Sequence, residues 1–332
     1  MKQNDRRSFL KIAGASLGIG VLYSAYPAAA ATGESGALFS ALGRANGEKP
    51  SPFSFVQLSD AHVGFNGPPD PLGTKAFERA VDMINALRQR PDLVLFTGDL
   101  THDTEDRNVH VQRMKQFQEI SKKIQVPLIK CVPGEHDAGL DGGELYREFF
   151  GESHYSFDHR GVHFVALDNV SRAKPEVGAE QLAWLKKDLE RFSKTAPIVV
   201  FTHRPLFDLR PEWEWFTSDG DDVMNILSAY DNLTVLYGHI HRDDEHQTGA
   251  VHHYAAKSLI FAFPDPSSPQ GPRKPIPFDK DHPFKNLGIR AVSFNGKTQP
   301  NSKPLSIDDV ELTAREFREI NGVHQLLRNP LV

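Results

Sequence analysis

Apolar and polar positions follow two alternating periods along most of the chain, and the changes between them predict the elements. FSFVQLS (Phe53–Ser59), DLVLFTG (Asp92–Gly98) and VPLIKCV (Val126–Val132) are short apolar runs with polar or glycine ends, the pattern of buried strands. VHFVALD, PIVVFTH and LTVLYGH continue the series, and HHYAAKSLIFAF and IRAVSFN read as later strands. Between them the period lengthens. Thr74–Arg90 puts Phe77, Ala80, Val81, Ile84 and Leu87 on one helical face with Thr74 as N-cap. Val109–Ile124 and AEQLAWLKKDLERF (Ala179–Phe192) are further helical stretches. Strands alternating with helices predict an α/β sheet architecture. Pro264–Pro283 reads as a long proline-rich loop. From about Ser306 the spacing of Ile307, Val310, Phe317 and Ile320 is helical, although the start of this stretch is equally compatible with a strand. Residues 301–332 are therefore expected to form a partly helical tail. No internal repeat is present.

The first residues read as an address rather than a fold. Arg6-Arg7-Ser8-Phe9-Leu10-Lys11 precedes a glycine-broken apolar stretch and then Pro27-Ala28-Ala29-Ala30-Ala31. This resembles a bacterial twin-arginine export signal over residues 1–31, which implies folding before export, use of the twin-arginine translocation machinery, and a periplasmic or secreted product. Cleavage there removes Lys2, Arg6, Arg7, Lys11 and Asp5, taking the formal charge from −5 to −8. No stable membrane anchor is expected after cleavage, since no run of 18 or more apolar residues occurs. Residues 32–52, rich in Gly, Ser and Ala, read as a linker, and the core domain is expected over 53–300.

Composition narrows the picture only slightly. With 332 residues and 39% hydrophobic content, the chain can bury a sizeable core. An acidic balance gives no field for a nucleic-acid polymer. The single cysteine, Cys131, sits in an apolar run and is expected to be an inert buried thiol.

Chemistry gathers at the strand ends. FVQLS is followed by Asp60-Ala61-His62, LVLFT by Gly98-Asp99, and LIKCVP by Gly134-Glu135-His136-Asp137. IVVFT is followed by His203, and TVLY by Gly238-His239-Ile240-His241. In open α/β sheets the carboxyl ends of strands carry the ligands, so these side chains are expected to converge. Each block alone is weak, but five in succession at strand ends are not. Three carboxylates and four histidines suit borderline divalent or ferric ions rather than calcium, and seven ligands are too many for one tetrahedral zinc. Two ions sharing a bridge form the clamp for in-line displacement at phosphorus, and they acidify a bridging water.

In order and spacing, from Phe53 to Arg242, these blocks resemble the calcineurin-like metallophosphoesterase family: D-x-H, G-D, G-N-H-[DE], a histidine, then G-H-x-H. HYSFDHRGVHFVALDN, QLAWLKKDL and VVFTHRPLF are similar to class III cyclic-nucleotide phosphodiesterase and glycerophosphodiesterase relatives. The resemblance implies a four-layer α/β/β/α sandwich with two mixed sheets and the metal site at the strand ends. It implies that Asp60, His62 and His241 bind one metal, that Asp99 bridges, and that His203, His239 and Glu135 bind the other. It implies that His136 faces the substrate and protonates or stabilises the departing oxygen, with Asp137 orienting His136 or its loop. The implied activity is hydrolysis of a small phosphoester, a diester for preference, by a metal-bridging hydroxide, with Fe, Mn or Zn as the ions. A phosphomonoesterase or pyrophosphate-bond hydrolase is the alternative, and a degenerate family member that binds without turnover is the non-enzymatic one. A purple acid phosphatase is disfavoured, because His102 stands where that group has its tyrosine ligand.

Glu135 departs from the pattern, which has Asn there. With Asp60, Asp99 and Glu135 ionised, two divalent ions give a site of +1 instead of +2. A ferric–divalent pair restoring +2, a slower divalent pair, or a Glu135 that swings away and loses the second ion are the open readings. His102, Asp103, Arg204 and Arg210 lie close enough in sequence to reach the site or to stay on its surface. PLFDLRPEWEWFTSDGDD crowds Phe207, Trp213, Trp215 and Phe216, for packing, for covering the site, or for a homo-oligomer contact. Arg242-Asp243-Asp244-Glu245 is expected to be a solvated turn.

Overall fold

The computed structural model describes residues 50–267, 273–296, 305–313, 317–320 and 323–326. Residues 1–31, expected to be an export signal, and all but the end of the expected linker at 32–52 lie outside the described residues. Thirteen strands and six helices are described: β1 (Phe53–Leu58), α1 (Lys75–Ala86), β2 (Leu93–Thr97), α2 (Arg107–Ser121), β3 (Leu128–Val132), α3 (Glu135–Ala138), α4 (Glu144–Phe150), β4 (Tyr155–His159), β5 (Val162–Ala166), α5 (Ala179–Leu189), β6 (Ile198–Phe201), α6 (Gly220–Leu227), β7 (Leu233–Tyr237), β8 (Asp244–Thr248), β9 (Val251–Ala255), β10 (Gly288–Phe294), β11 (Leu305–Glu311), β12 (Phe317–Ile320) and β13 (Val323–Leu326).

Two mixed sheets form, in the orders β11-β10-β1-β2-β3 and β4-β5-β6-β7-β9-β8, with β12 and β13 as a separate pair. The strands run apolar on both faces because both faces are covered. Phe53, Phe55, Leu93 and Leu95 of the first sheet meet Phe164, Val199, Phe201 and Leu236 of the second, forming the core between the sheets. On the outer face of the first sheet, Val56, Leu58, Val94 and Phe96 pack under Phe77, Ala80, Ile84, Phe117 and Ile120 of α1 and α2. On the outer face of the second, Val165, Val200 and Val235 pack under Leu185, Leu189, Val223 and Leu227 of α5 and α6. Helices, sheet, sheet and helices make the expected four layers. Phe77 is fully buried, so truncating it to alanine is expected to cost about 3–5 kcal/mol.

Several local expectations need correction. Residues 305–311 are not helical: β11 pairs antiparallel with β10, from Leu305 opposite Phe294 to Glu311 opposite Gly288. Ile307 packs toward the inter-sheet core and Val310 toward the α1 side, so an i, i+3 spacing that reads as one helical face is a strand covered on both faces. The sheet therefore continues past residue 300. Asp244 and Glu245 open the edge strand β8, and HHYAAKSLIFAF is extended only as far as Ala255. Thr74 precedes α1 but makes no side-chain capping bond, whereas Asp106 caps α2 by accepting from the Asn108 and Val109 N–H groups. Cys131 is buried, and burial pushes its thiol pKa up, as expected for an inert group. Among the described residues no helix is long and apolar enough to cross a membrane.

Candidate metal centre

The parallel strands β1, β2, β3, β6 and β7 all end on the same side of the sandwich, and each delivers its block to one place. The chain must turn sharply there. Asp60, His62, Asp99, His239 and His241 all hold positive φ, from 41° to 66°, five of the eight non-glycine residues that do so among the described residues. Left-handed backbone costs a residue with a Cβ of order 1 kcal/mol or more, and clusters where geometry matters more than local comfort. Two glycines are dictated by the same crowding. Gly98 has φ +94°, and a Cβ there would lie 2.3 Å from His203 Nδ1; at Gly134 it would lie 2.1 Å from Asp99 Oδ1.

Two sets of four side chains result, each with donor atoms within 4.8 Å of one another: Asp60, His62, Asp99 and His241, and Asp99, Glu135, His203 and His239. Asp99 belongs to both. Its Oδ2 lies 3.3 Å from His62 Nε2 and 3.4 Å from His203 Nε2, while its Oδ1 accepts the His136 N–H at 3.0 Å. In the first set His62 Nε2 and His241 Nε2 face each other at 3.1 Å, with Asp60 Oδ1 3.3 Å from the latter. In the second, Glu135 places Oε2 2.7 Å from His203 Nε2 and Oε1 2.8 Å from His239 Nδ1.

The far side of each ring settles what the near side offers. His203 Nδ1–H donates to the Thr97 carbonyl (2.7 Å), His241 Nδ1–H to Phe261 (2.9 Å) and His239 Nε2–H to Glu214 (3.1 Å). A carbonyl can only accept, so each neutral ring turns its lone pair to the centre. Glu135 Oε2 and His203 Nε2 are moreover buried and, although 2.7 Å apart, are not aligned to hydrogen-bond each other or any other group. Lone pairs and carboxylate oxygens converging at this density fit two cations better than any internal hydrogen bonding. The charges agree. Although burial alone would raise it, Glu135 stays well below the usual carboxylate range because His239, His203 and Arg204 surround it. His203 is pulled up against its burial by Asp99 and Glu135. The carboxylates that draw a proton to His203 would draw a metal ion there instead.

His136 sits at the mouth, with a quarter of its side chain exposed and Nε2 3.9 Å from Asp99 Oδ2. Its ring stacks on His102, with centroids 4.8 Å apart. Its Nδ1 meets Asp103 Oδ1 at 2.8 Å. Burial would lower its pKa, but Asp99 and Asp103 raise it to about 9. Asp103, not Asp137, therefore orients His136. Asp137 is fully buried and acts on the loops: its carboxylate accepts from the N–H groups of Leu100, Thr101 and Gly134 at 2.8–2.9 Å, tying the β2 and β3 turns together. His102 backs the first set through a 3.2 Å contact between its Nδ1 and His62 Nδ1. Arg204 is buried beside Glu135, with Nη2 3.5 Å from Oε1. Arg210 lies further out, over the Trp213 ring. Trp213 and Trp215 are buried with Tyr237, Ile240, Ala255 and Phe263, so the aromatic loop packs against the domain. The carbonyls of Thr97, Glu214 and Phe261 carry no side-chain signal and were beyond sequence reasoning.

The calcineurin-like phosphoesterase profile matches residues 53–243, more than half of the chain. A probable glycerophosphodiester phosphodiesterase from Arcobacter nitrofigilis is 28% identical over 204 residues, covering 56% of this chain and 71% of that protein. A 3′,5′-cyclic-nucleotide phosphodiesterase from Nostoc is 22% identical over 225 residues, covering 65% and 82%. In fold, a dimetal phosphatase from Danio rerio superposes with a TM-score of 0.52 at 14% identity, over 79% of this chain and 98% of that one. The chain belongs to the calcineurin-like phosphoesterase family.

Proposed function

From that membership we infer that this protein is a metal-dependent phosphoester hydrolase acting on small phosphodiesters. The observation that carries the reading is the pair of four-donor sets joined at Asp99. Two ions held there would neutralise the phosphoryl oxygens and acidify the attacking water. The protein's own part is to orient and to move a proton. Asp60, His62 and His241 hold one side of the centre, and Glu135, His203 and His239 the other. His136, fixed through Nδ1 by Asp103, presents Nε2 to the departing alkoxide, to which its imidazolium form would give a proton. Preference for a diester is supported by the names of the two relatives above, both phosphodiesterases. Protein reconstituted with manganese, zinc or iron should hydrolyse bis(p-nitrophenyl) phosphate at a higher kcat/KM than p-nitrophenyl phosphate. The reverse order would make it a monoesterase, and no turnover of either with ions bound would make it a binding protein.

The protein is further proposed to leave the cytoplasm through the twin-arginine pathway, on the strength of Arg6-Arg7-Ser8-Phe9-Leu10-Lys11 and the alanine run at 28–31. Replacing Arg6 and Arg7 by lysine should keep activity in the cytoplasmic fraction. Equal export of the variant would refute this route.

A further inference from the structure

We propose that Arg204 is the charge partner of Glu135, so that the second donor set accepts a divalent ion without needing a ferric one. This rests on the two-ion reading above. Glu135 lies between His203 and His239, at 2.7 and 2.8 Å, as the third carboxylate around the two sets. Two divalent ions and three carboxylates leave +1; a guanidinium at the same place brings the total to +2. Arg204 is built to be that guanidinium. It follows His203 directly, is 8% exposed, and sets Nη2 3.5 Å from Glu135 Oε1. Its Nη1 donates at 2.8 Å to the Glu214 carbonyl, the same oxygen that accepts from His239 Nε2–H. Glu214 holds φ +60° to aim that carbonyl. The backbone of Arg204 is clamped as well. Its N–H donates to Asn169 Oδ1 (3.3 Å), and its carbonyl accepts from Asn169 Nδ2 (3.0 Å).

A buried cation held through both terminal nitrogens, on a clamped backbone, is neither a surface charge nor a flexible arm. An arginine is retained in such a place when a desolvated carboxylate faces it. Each partner should therefore mask the other's effect on the ion. Without Arg204, Glu135 keeps its full charge for the metal and the second ion is held more tightly. Without Glu135, a bare guanidinium faces that ion and repels it. Removing both should return the affinity close to its starting value.

The test is a manganese titration of the metal-free full chain against a competing chelator, on the wild type, Arg204→Gln, Glu135→Gln and the double variant. The second ion should bind about tenfold or more tightly in Arg204→Gln, at least tenfold more weakly in Glu135→Gln, and within a few-fold of wild type in the double variant. Arg204→Lys, which keeps the charge, should behave as the wild type. If Arg204→Gln fails to fold, Arg204→Met, which keeps the length of the side chain without its charge, carries the same titration, and the second ion should again bind about tenfold or more tightly. Looser or unchanged binding in Arg204→Gln, or a double variant whose affinity stays far from that of the wild type, would overturn the pairing. So would an unchanged affinity with a raised KM, which would make Arg204 a substrate contact. A wild type that binds no second ion would instead refute the two-ion reading itself.

Discussion

The set formed by Asp60, His62, Asp99 and His241 and the set formed by Asp99, Glu135, His203 and His239 share a carboxylate but are built by different means. All four residues of the first hold left-handed backbone, and their side chains are at most 4% exposed. In the second, only Asp99 and His239 are so held, and Glu135 reaches in from the first residue of α3 with a quarter of its side chain exposed. Close burial leaves the side chains of the first set little room to turn away before any ion arrives. The second set depends on a long side chain and on charge balance. The first is therefore expected to fill first and hardest, and the second to be the adjustable partner.

The largest effect should come where the sets meet. Asp99→Ala removes the shared ligand and the acceptor for the His136 N–H, so both sets should lose their ions. Turnover should fall about 10³-fold or more, equivalent to about 4 kcal/mol. Elemental analysis of the purified variant checks this, and retention of two ions would break the idea of a shared bridge. Next is His136→Ala, outside both sets, which should lower kcat by about 10²–10⁴ while leaving two ions per chain. A concurrent loss of metal would place His136 among the ligands. Asp103→Asn should be milder, at about 10–100-fold in kcat with metal content unchanged, since it loosens only the orientation of His136.

How much of this was legible in the sequence divides along the same line. Asp60, His62, Asp99, His203, His239 and His241 could be singled out because strands place their ligands at regular ends, and an apolar run followed by Gly or Asp and His is visible in one dimension. The four layers were legible for the same reason, since VLF and IVVF runs need cover on both faces. What was not legible depends on distance across the chain. Asp103 reaches His136 from 33 residues away, and the Glu214 carbonyl reaches His239 from a loop whose sequence reports only aromatics. Whether Asp137 orients His136 or its loop could not be decided, because adjacency in PGEHD hides that successive residues at a helix start point in different directions. β11 was left undecided between helix and strand because Ile307 and Val310 satisfy either period.

The smallest effect should come from a site far from both sets, and it serves as their control. His163 lies between Asp158 and Asp188, with both nitrogens 2.7 Å from a carboxylate oxygen. Burial alone would lower its pKa, but these two acids raise it, and Asp188 is lowered in turn by His163 despite its burial. The raised histidine contributes stability that is fully present below its unfolded pKa of about 6.5 and fades as pH rises through the folded value. The lowered aspartate contributes above about 3.9 and fades as pH falls through its folded value. His163→Gln should therefore lower Tm most between about pH 4 and 6.5 and least near pH 9, and it should leave the number of ions bound at neutral pH unchanged. An equal loss of Tm at every pH would mean that packing against Phe192, not charge, holds this ring.

The most direct measurement is anomalous diffraction from crystals soaked in manganese. Two peaks about 3.5–4 Å apart, both touching Asp99, with one beside Asp60, His62 and His241 and the other beside Glu135, His203 and His239, are the predicted result. A single peak at saturating manganese, or two peaks of which one lies away from Asp99, would contradict it.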